Sequence, residues 1–260
     1  MRIKRLRSAR TLALAPDATA ASGILLLLLG VAATGCRSAD PVAEVPQQTE
    51  RTAVPDGIND SFLNPETDAE DYVKRWEIES REVYASRDAI VAALQLEPGS
   101  RVADIGTGTG LFLAPLAESV GKDGKVFATD ISMSFLEHVR NRIRENDWTQ
   151  VQPILAGMHT TALLQDSIDV AFTCDVYHHF EYHEDMLRSI HSALRPGGRL
   201  IVVDFERIPG VTREWLLGHV RAPKETVIQE VTAAGFRLDG EVEIDGFEDN
   251  YLLRFTAVPE

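Results

Sequence analysis

At 260 residues the chain accommodates one domain with extensions, or two small domains, and 44% hydrophobic with 25% charged residues is ordinary for a globular protein. It carries 26 Lys and Arg against 40 Asp and Glu, a formal charge of −14, which argues against nucleic acid or anionic lipid as an electrostatic partner. Of the two cysteines, Cys36 and Cys174, the second lies in an apolar run, and no disulfide is expected.

The N-terminus has its own pattern. Arg2, Lys4, Arg5, Arg7 and Arg10 precede an apolar run from Gly23 to Val31, the arrangement of a secretion signal. The run is shorter than the roughly 20 residues of a membrane span. It ends in Ala33-Thr34-Gly35-Cys36, which resembles a bacterial lipobox with Ala33 where Leu is more usual. That resemblance implies cleavage before Cys36 and diacylglycerol on its sulfur; the alternative is an uncleaved signal anchor. Either tethers the protein to a membrane, with an extracytoplasmic location expected, or a cytoplasmic one if translation starts downstream. Without residues 1–35 the chain has 21 basic and 39 acidic side chains, a formal charge of −18. The expected organisation is a lipoprotein-type signal peptide over 1–35, a flexible linker over 36–67 rich in Pro, Ala, Glu, Thr and Gln, and one domain over 68–258.

In that domain the apolar positions Tyr72, Trp76, Ile78, Val83, Ala89, Ile90, Ala93 and Leu94 predict two helices, stopped by Pro98-Gly99. Val102, Ala103 and Ile105 predict a buried parallel strand, and Leu111 to Leu116 the helix after it. A second strand, Lys125 to Thr129, ends at Asp130, and Ser132 or Ser134 caps a helix with Phe135, Leu136, Val139 and Ile143 on one face. Strands follow at Val151 to Leu155 and Ile168 to Thr173, then a helix carrying Met186, Leu187, Ile190 and Leu194 that Pro196-Gly197-Gly198 stops. Arg199 to Asp204 is the fifth strand, Pro223 opens a helix that ends at Gly235, and Phe236 to Ile244 and Tyr251 to Val258 alternate with period two. Strands alternating with helices imply an α/β, Rossmann-like, doubly wound sheet of seven strands, mostly parallel, with an antiparallel C-terminal hairpin.

The chemistry concentrates in Arg101 to Gly110, RVADIGTGTG. Glycines after a strand let a ligand approach the backbone and its N–H groups. The third glycine of the dinucleotide fingerprint is missing, because Leu111 stands there, and no Lys-Ser/Thr follows as in a P-loop. What remains, D-x-G-x-G-x-G, resembles motif I of the class I S-adenosylmethionine-dependent methyltransferases. Cys174-Asp-Val-Tyr-His-His-Phe180 resembles motif IV of the small-molecule members, and Leu194-Arg-Pro-Gly-Gly-Arg-Leu200 their next turn.

The resemblance implies S-adenosyl-L-methionine as cofactor and methyl transfer to an unidentified small-molecule acceptor, a transferase activity of class EC 2.1.1. It implies cofactor contacts from Asp104, Gly106, Thr107 and Gly108 in the glycine loop, to the methionine moiety, from Asp130 to the ribose, where a carboxylate suits a vicinal diol, and from Ile131. Further contacts are expected from Asp175, and from Tyr84 and Arg87 by position alone. After the third strand the family often has Gly-Asp; here Gly157-Met158-His159 puts Met158 against the adenine and His159 in place of the acid. His178 is the first candidate for a general base, with Tyr177 and His179 next, because an imidazole pKa near 6.5 suits proton removal. The run from His178 to Asp185 holds metal-ligand residue types but no zinc-site spacing, and no metal site is assigned. The alternative function is a non-catalytic module that binds a nucleoside ligand on the same fold; a nicotinamide oxidoreductase is disfavoured by Leu111.

Overall fold

The computed structural model describes residues 54–259. The signal pattern, Cys36 and most of the linker lie outside them. Among the described residues no helix is long and apolar enough to cross a membrane.

The chain runs α1 (Asp60–Leu63), α2 (Ala69–Trp76), α3 (Glu82–Ala85), α4 (Arg87–Ala93), β1 (Arg101–Ile105), α5 (Leu113–Val120), β2 (Lys125–Asp130), α6 (Met133–Glu145), β3 (Val151–Leu155) and β4 (Ile168–Cys174). A single 3₁₀ turn, Tyr177–His179, follows; then come α7 (His183–Ala193), β5 (Leu194–Phe205), α8 (Glu214–His219), α9 (Lys224–Ala233), β6 (Phe236–Glu241) and β7 (Asn250–Ala257). The strands form one sheet in the order β3-β2-β1-β4-β5-β7-β6. The first five are parallel, and β7 lies between β5 and β6, antiparallel to both. The expected seven-stranded fold with its antiparallel hairpin is therefore present.

Alternation of side chains along each strand fills two apolar layers. Val102, Val126, Ala128, Val170, Phe172, Ile201 and Val203 face α4 and α5 through Ile90, Leu94, Leu113, Leu116 and Val120. Ala103, Phe127, Ala171, Leu200 and Val202 face α7 and α9 through Leu187, Ile190, Val227 and Val231. Because β1, β2 and β4 are buried on both faces, they read as continuous apolar runs. Of the two proposed caps for α6, Ser132 is the one used: its Oγ accepts from the Phe135 N–H at 3.4 Å.

The differences from expectation have local causes. Three helices, not two, occupy 68–96, because Ser86 leaves helical geometry (φ −98°, ψ 11°) between α3 and α4. β5 starts at Leu194, paired with Ile168 across an irregularity in register, so the Pro-Gly-Gly turn interrupts pairing rather than preceding the strand. The segment 54–67, placed in the linker, is packed into the domain: Asn59 is buried, and the Phe62 ring meets those of Tyr72, Trp76 and Phe135.

Candidate active site

A cavity of about 890 Å³ is lined by the carboxyl ends of β1 (Asp104, Ile105), β2 (Thr129, Asp130) and β4 (Cys174), and by Asp175 and Phe205. The strand order reverses between β1 and β4, the crevice where open α/β sheets bind ligands. Its volume lies within the ~300–1,000 Å³ of ordinary ligand pockets. The cavity is also lined by the N-terminal helices, through Phe62, Tyr72 and Trp76, by Arg81 just before α3, and by α8, through Trp215 and His219.

The glycine loop is tied to β2. The N–H groups of Gly106 and Thr107 both donate to Thr129 O, at 2.8 and 3.0 Å, and that of Gly108 donates to Asp130 Oδ2 at 2.8 Å. These N–H groups, which the glycine pattern offers to a ligand, are therefore engaged within the protein. The glycines serve close packing instead. At Gly106 (φ +73°) a Cβ would lie 2.5 Å from Val176, and at Gly108 (φ +53°) 3.1 Å from the Trp76 ring.

Two carboxylates open into the cavity from adjacent strands. Asp130 accepts the Gly108 N–H on Oδ2 and the Ser132 N–H on Oδ1, at 2.8 Å each, and the Ile131 N–H also stabilises its charge. Burial pushes its pKa up to about 6, opposed by those backbone donors. Asp104 accepts from the Thr107 hydroxyl at 2.7 Å. Burial, together with the Asp130 charge and against the Thr107 hydrogen bond, pushes it to about 7.

Asp175 is a third buried carboxylate, raised to about 6 by burial against the pull of Arg81. Arg81 pairs with its Oδ2 at 2.5 Å and Asn250 donates to Oδ1 at 2.8 Å. Its φ of +54° is unusual for a residue with a Cβ, the kind of backbone outlier that gathers at ligand sites.

His178 forms a buried pair with Asp204 at the end of β5. Its backbone N–H donates to Asp204 Oδ2 at 3.0 Å, and its Nδ1 lies 2.7 Å from Asp204 Oδ1. Burial disfavours the imidazolium, but the Asp204 charge and hydrogen bond outweigh it, and the pKa sits above the ordinary value. With Nδ1 bonded to the carboxylate, Nε2 is the nitrogen left for other work. Beside it, His179 is driven down to about 2 by burial and by the neighbouring His178 and His219. The ring of His219 in α8 lies 4.9 Å from His178 and 5.2 Å from His179, centroid to centroid. His219 too is lowered, chiefly by burial.

Of the other expected contacts, Ile131 and Met158 line the cavity with Thr107, but four residues do not. Tyr177 turns to the opposite side of the 3₁₀ turn, where its hydroxyl donates to Glu230 at 2.8 Å beneath the Arg221 guanidinium. His159 is largely exposed, bonded to Asp185 at 2.7 Å and stacked on Tyr182. Arg87 lies over the Tyr84 ring and donates to the Tyr84 carbonyl, so both miss the cavity. The cation that meets Asp175 in the cavity wall is Arg81, three residues before Tyr84.

Asn59, Phe62, Arg81 and Asn250 are site residues that local sequence reading passes over. Asp204 carried a signal as an acid at a strand end, and His219 as a histidine in the segment between the fifth strand and the last helix.

Residues 102–198 match the methyltransferase domain family. The chain is 33% identical over 111 residues to the ubiquinone/menaquinone biosynthesis C-methyltransferase UbiE of Vibrio campbellii, covering 42% of this chain and 43% of that protein. It is 30% identical over 166 residues to a 37.1 kDa protein of a Streptomyces fradiae transposon, covering 64% of this chain and 44% of the relative. The chain thus spans less than half the length of these curated relatives. Among solved structures, an S-adenosylmethionine-dependent methyltransferase from Aquifex aeolicus superposes with a TM-score of 0.62 at 20% identity, covering 75% of this chain and 99% of that one. The fold is that of the S-adenosylmethionine-dependent methyltransferases.

Proposed function

We propose that this protein transfers a methyl group from S-adenosylmethionine to a small-molecule acceptor. The observation that carries this reading is the pair Asp104 and Asp130: two buried carboxylates from neighbouring strands, sharing one cavity. A ligand with a cationic amino group and a vicinal diol satisfies both, and the residues present fit such a molecule. Asp104 would hold the amino group and Asp130 the two hydroxyls, with Ile131 and Met158 against the base.

When bound, the cofactor supplies a methyl group on a sulfonium, already activated for displacement. The protein's part is alignment and exclusion of water. Phe62, Tyr72, Trp76 and Phe135 form a continuous aromatic wall, with centroids 4.7–6.2 Å apart, that closes the cavity over the glycine loop. His178 Nε2 accepts the proton of the acceptor atom, and Asp204 holds the ring in place and stabilises the imidazolium, a base contribution of about 10²–10⁴ in rate. Trp215, exposed at the cavity wall, supports a partly apolar acceptor, and the exposed Ile208 lies on the segment leading to it.

The N-terminal signal pattern supports an anchor at Cys36. Mass analysis of the N-terminal peptide tests it: a free, unmodified Cys36 thiol refutes lipidation. For the activity itself, incubation with methyl-labelled cofactor and a panel of small apolar phenols, quinols and amines should label at least one. Label remaining entirely in the cofactor across such a panel, in protein shown to bind it, contradicts the reading.

A further inference from the structure

His178, His179 and His219 each present a ring nitrogen, and these three atoms lie within 4.8 Å of one another. Two belong to the turn after β4, and the third comes from α8, forty positions further on. A zinc ion with Zn–N bonds of about 2.0–2.1 Å places its tetrahedral nitrogen ligands roughly 3.4 Å apart. The observed spacing needs only small side-chain rotations to reach that.

Two independent features set this cluster apart from a chance grouping. His178 is bonded through Nδ1 to Asp204, 2.7 Å away and itself buried. A metal-ligating imidazole commonly has its second nitrogen held by a carboxylate in this way. In addition, His179 Nδ1 is buried with no hydrogen-bond partner. Such an orphaned polar atom calls for a ligand of its own, because leaving it unpaired costs about 1–3 kcal/mol.

We propose that His178, His179 and His219 bind one divalent transition-metal ion, zinc or a chemically similar ion, with Asp204 orienting the first ligand. Three imidazoles leave a tetrahedral ion one open position, and because all three residues line the cavity, that position is available to a small molecule there. Three protein ligands and one open position characterise catalytic rather than structural zinc. The open position suits an oxygen or sulfur ligand, which the ion would polarise. Ion and proton compete for the same nitrogen of His178, so the metal-free protein keeps that imidazole as a base. The site shares His178 with the methyl-transfer reading, but none of its ligands is among the residues assigned to the cofactor, so metal binding and cofactor binding are tested separately.

The test is direct. Full-length protein freed of metal with a chelator and dialysed is titrated with cobalt(II), read by visible absorption, and with zinc(II), read by calorimetry. The expected result is one equivalent bound, with the intense visible bands of a tetrahedral nitrogen site. His219→Ala should weaken binding at least tenfold, Asp204→Asn about 10–100-fold, and His159→Ala, an exposed histidine outside the cluster, not at all. Circular dichroism establishes that each variant is folded. His179→Gln, which keeps a polar group in the pocket, provides a second ligand-deficient variant should His219→Ala fail to fold. Absence of stoichiometric binding overturns the proposal. So does binding that both ligand variants leave intact, or a thiolate charge-transfer band, which would place the ion on a cysteine.

Discussion

Replacing Asp130 with asparagine separates binding from folding. In the wild type both carboxylate oxygens accept backbone N–H groups at 2.8 Å, from Gly108 and Ser132. Asparagine has one acceptor oxygen, so its amide must face one of those donors, and a buried polar group left unpaired costs about 1–3 kcal/mol. Against this, burial raises the Asp130 pKa from 3.8 to about 6, so at pH 8 the ionised carboxylate is disfavoured in the fold by about 3 kcal/mol relative to its protonated form. The neutral amide removes that penalty. The two effects offset each other, and Asp130→Asn should melt within a few degrees of wild type at pH 8. Binding of S-adenosylmethionine should suffer far more. The diol loses a charged acceptor, a contribution of about 1.5–3 kcal/mol, which is roughly 10–150-fold in Kd. Isothermal calorimetry with the cofactor and with its demethylated product measures this, with melting followed on the same samples. A folded variant that binds both ligands within threefold of wild type refutes the assignment of Asp130 to the ribose.

Asp104 and Asp130 are both raised by burial, to about 7 and about 6, so both gain protons as pH falls, and cofactor affinity should rise between about pH 5 and pH 8 before levelling. Calorimetry across that range checks it; a flat profile means that neither carboxylate meets the ligand. His178→Ala should lower turnover by about 10²–10⁴ while cofactor Kd stays within threefold, whereas equal losses in both would give the histidine a structural role only. Tyr177→Phe removes a hydroxyl bonded to Glu230 on the side away from the cavity; it should cost about 1–3 kcal/mol of stability in denaturant melts and leave turnover unchanged, and a large drop in turnover would return the tyrosine to the reaction.

What was legible in the sequence was what lies close along the chain. The glycine loop and the acids at 104, 130 and 175 announce themselves because a parallel strand is an apolar run and its ending is marked by the residue that breaks it. The histidine turn was visible, but not which side chain would face inward. In a 3₁₀ turn successive residues point about 120° apart; His178 and His179 line the cavity, and Tyr177 takes the remaining direction, toward Glu230. Tyr84 and Arg87 were nominated by position, yet the productive cation lies one helical turn earlier, at Arg81, whose pairing with Asp175 no local pattern reveals. Asn59 and Phe62 sit in a stretch whose composition reads as linker, and only the fold brings the Asn59 amide to the His179 carbonyl and to the Glu181 carboxylate. His219 belongs to a helix of six residues, too short to show a period. The three-histidine cluster therefore has no sequence spacing to recognise: its members meet only when α8 folds back over the turn after β4.

The proposal that the cavity above β1 and β2 holds S-adenosylmethionine is tested most directly by equilibrium titration of the wild-type full chain with that molecule. Saturable binding of one equivalent, shared by the demethylated product and abolished by Asp104→Ala, is the result expected. Heats indistinguishable from dilution for both ligands, in protein shown to be folded, would contradict it.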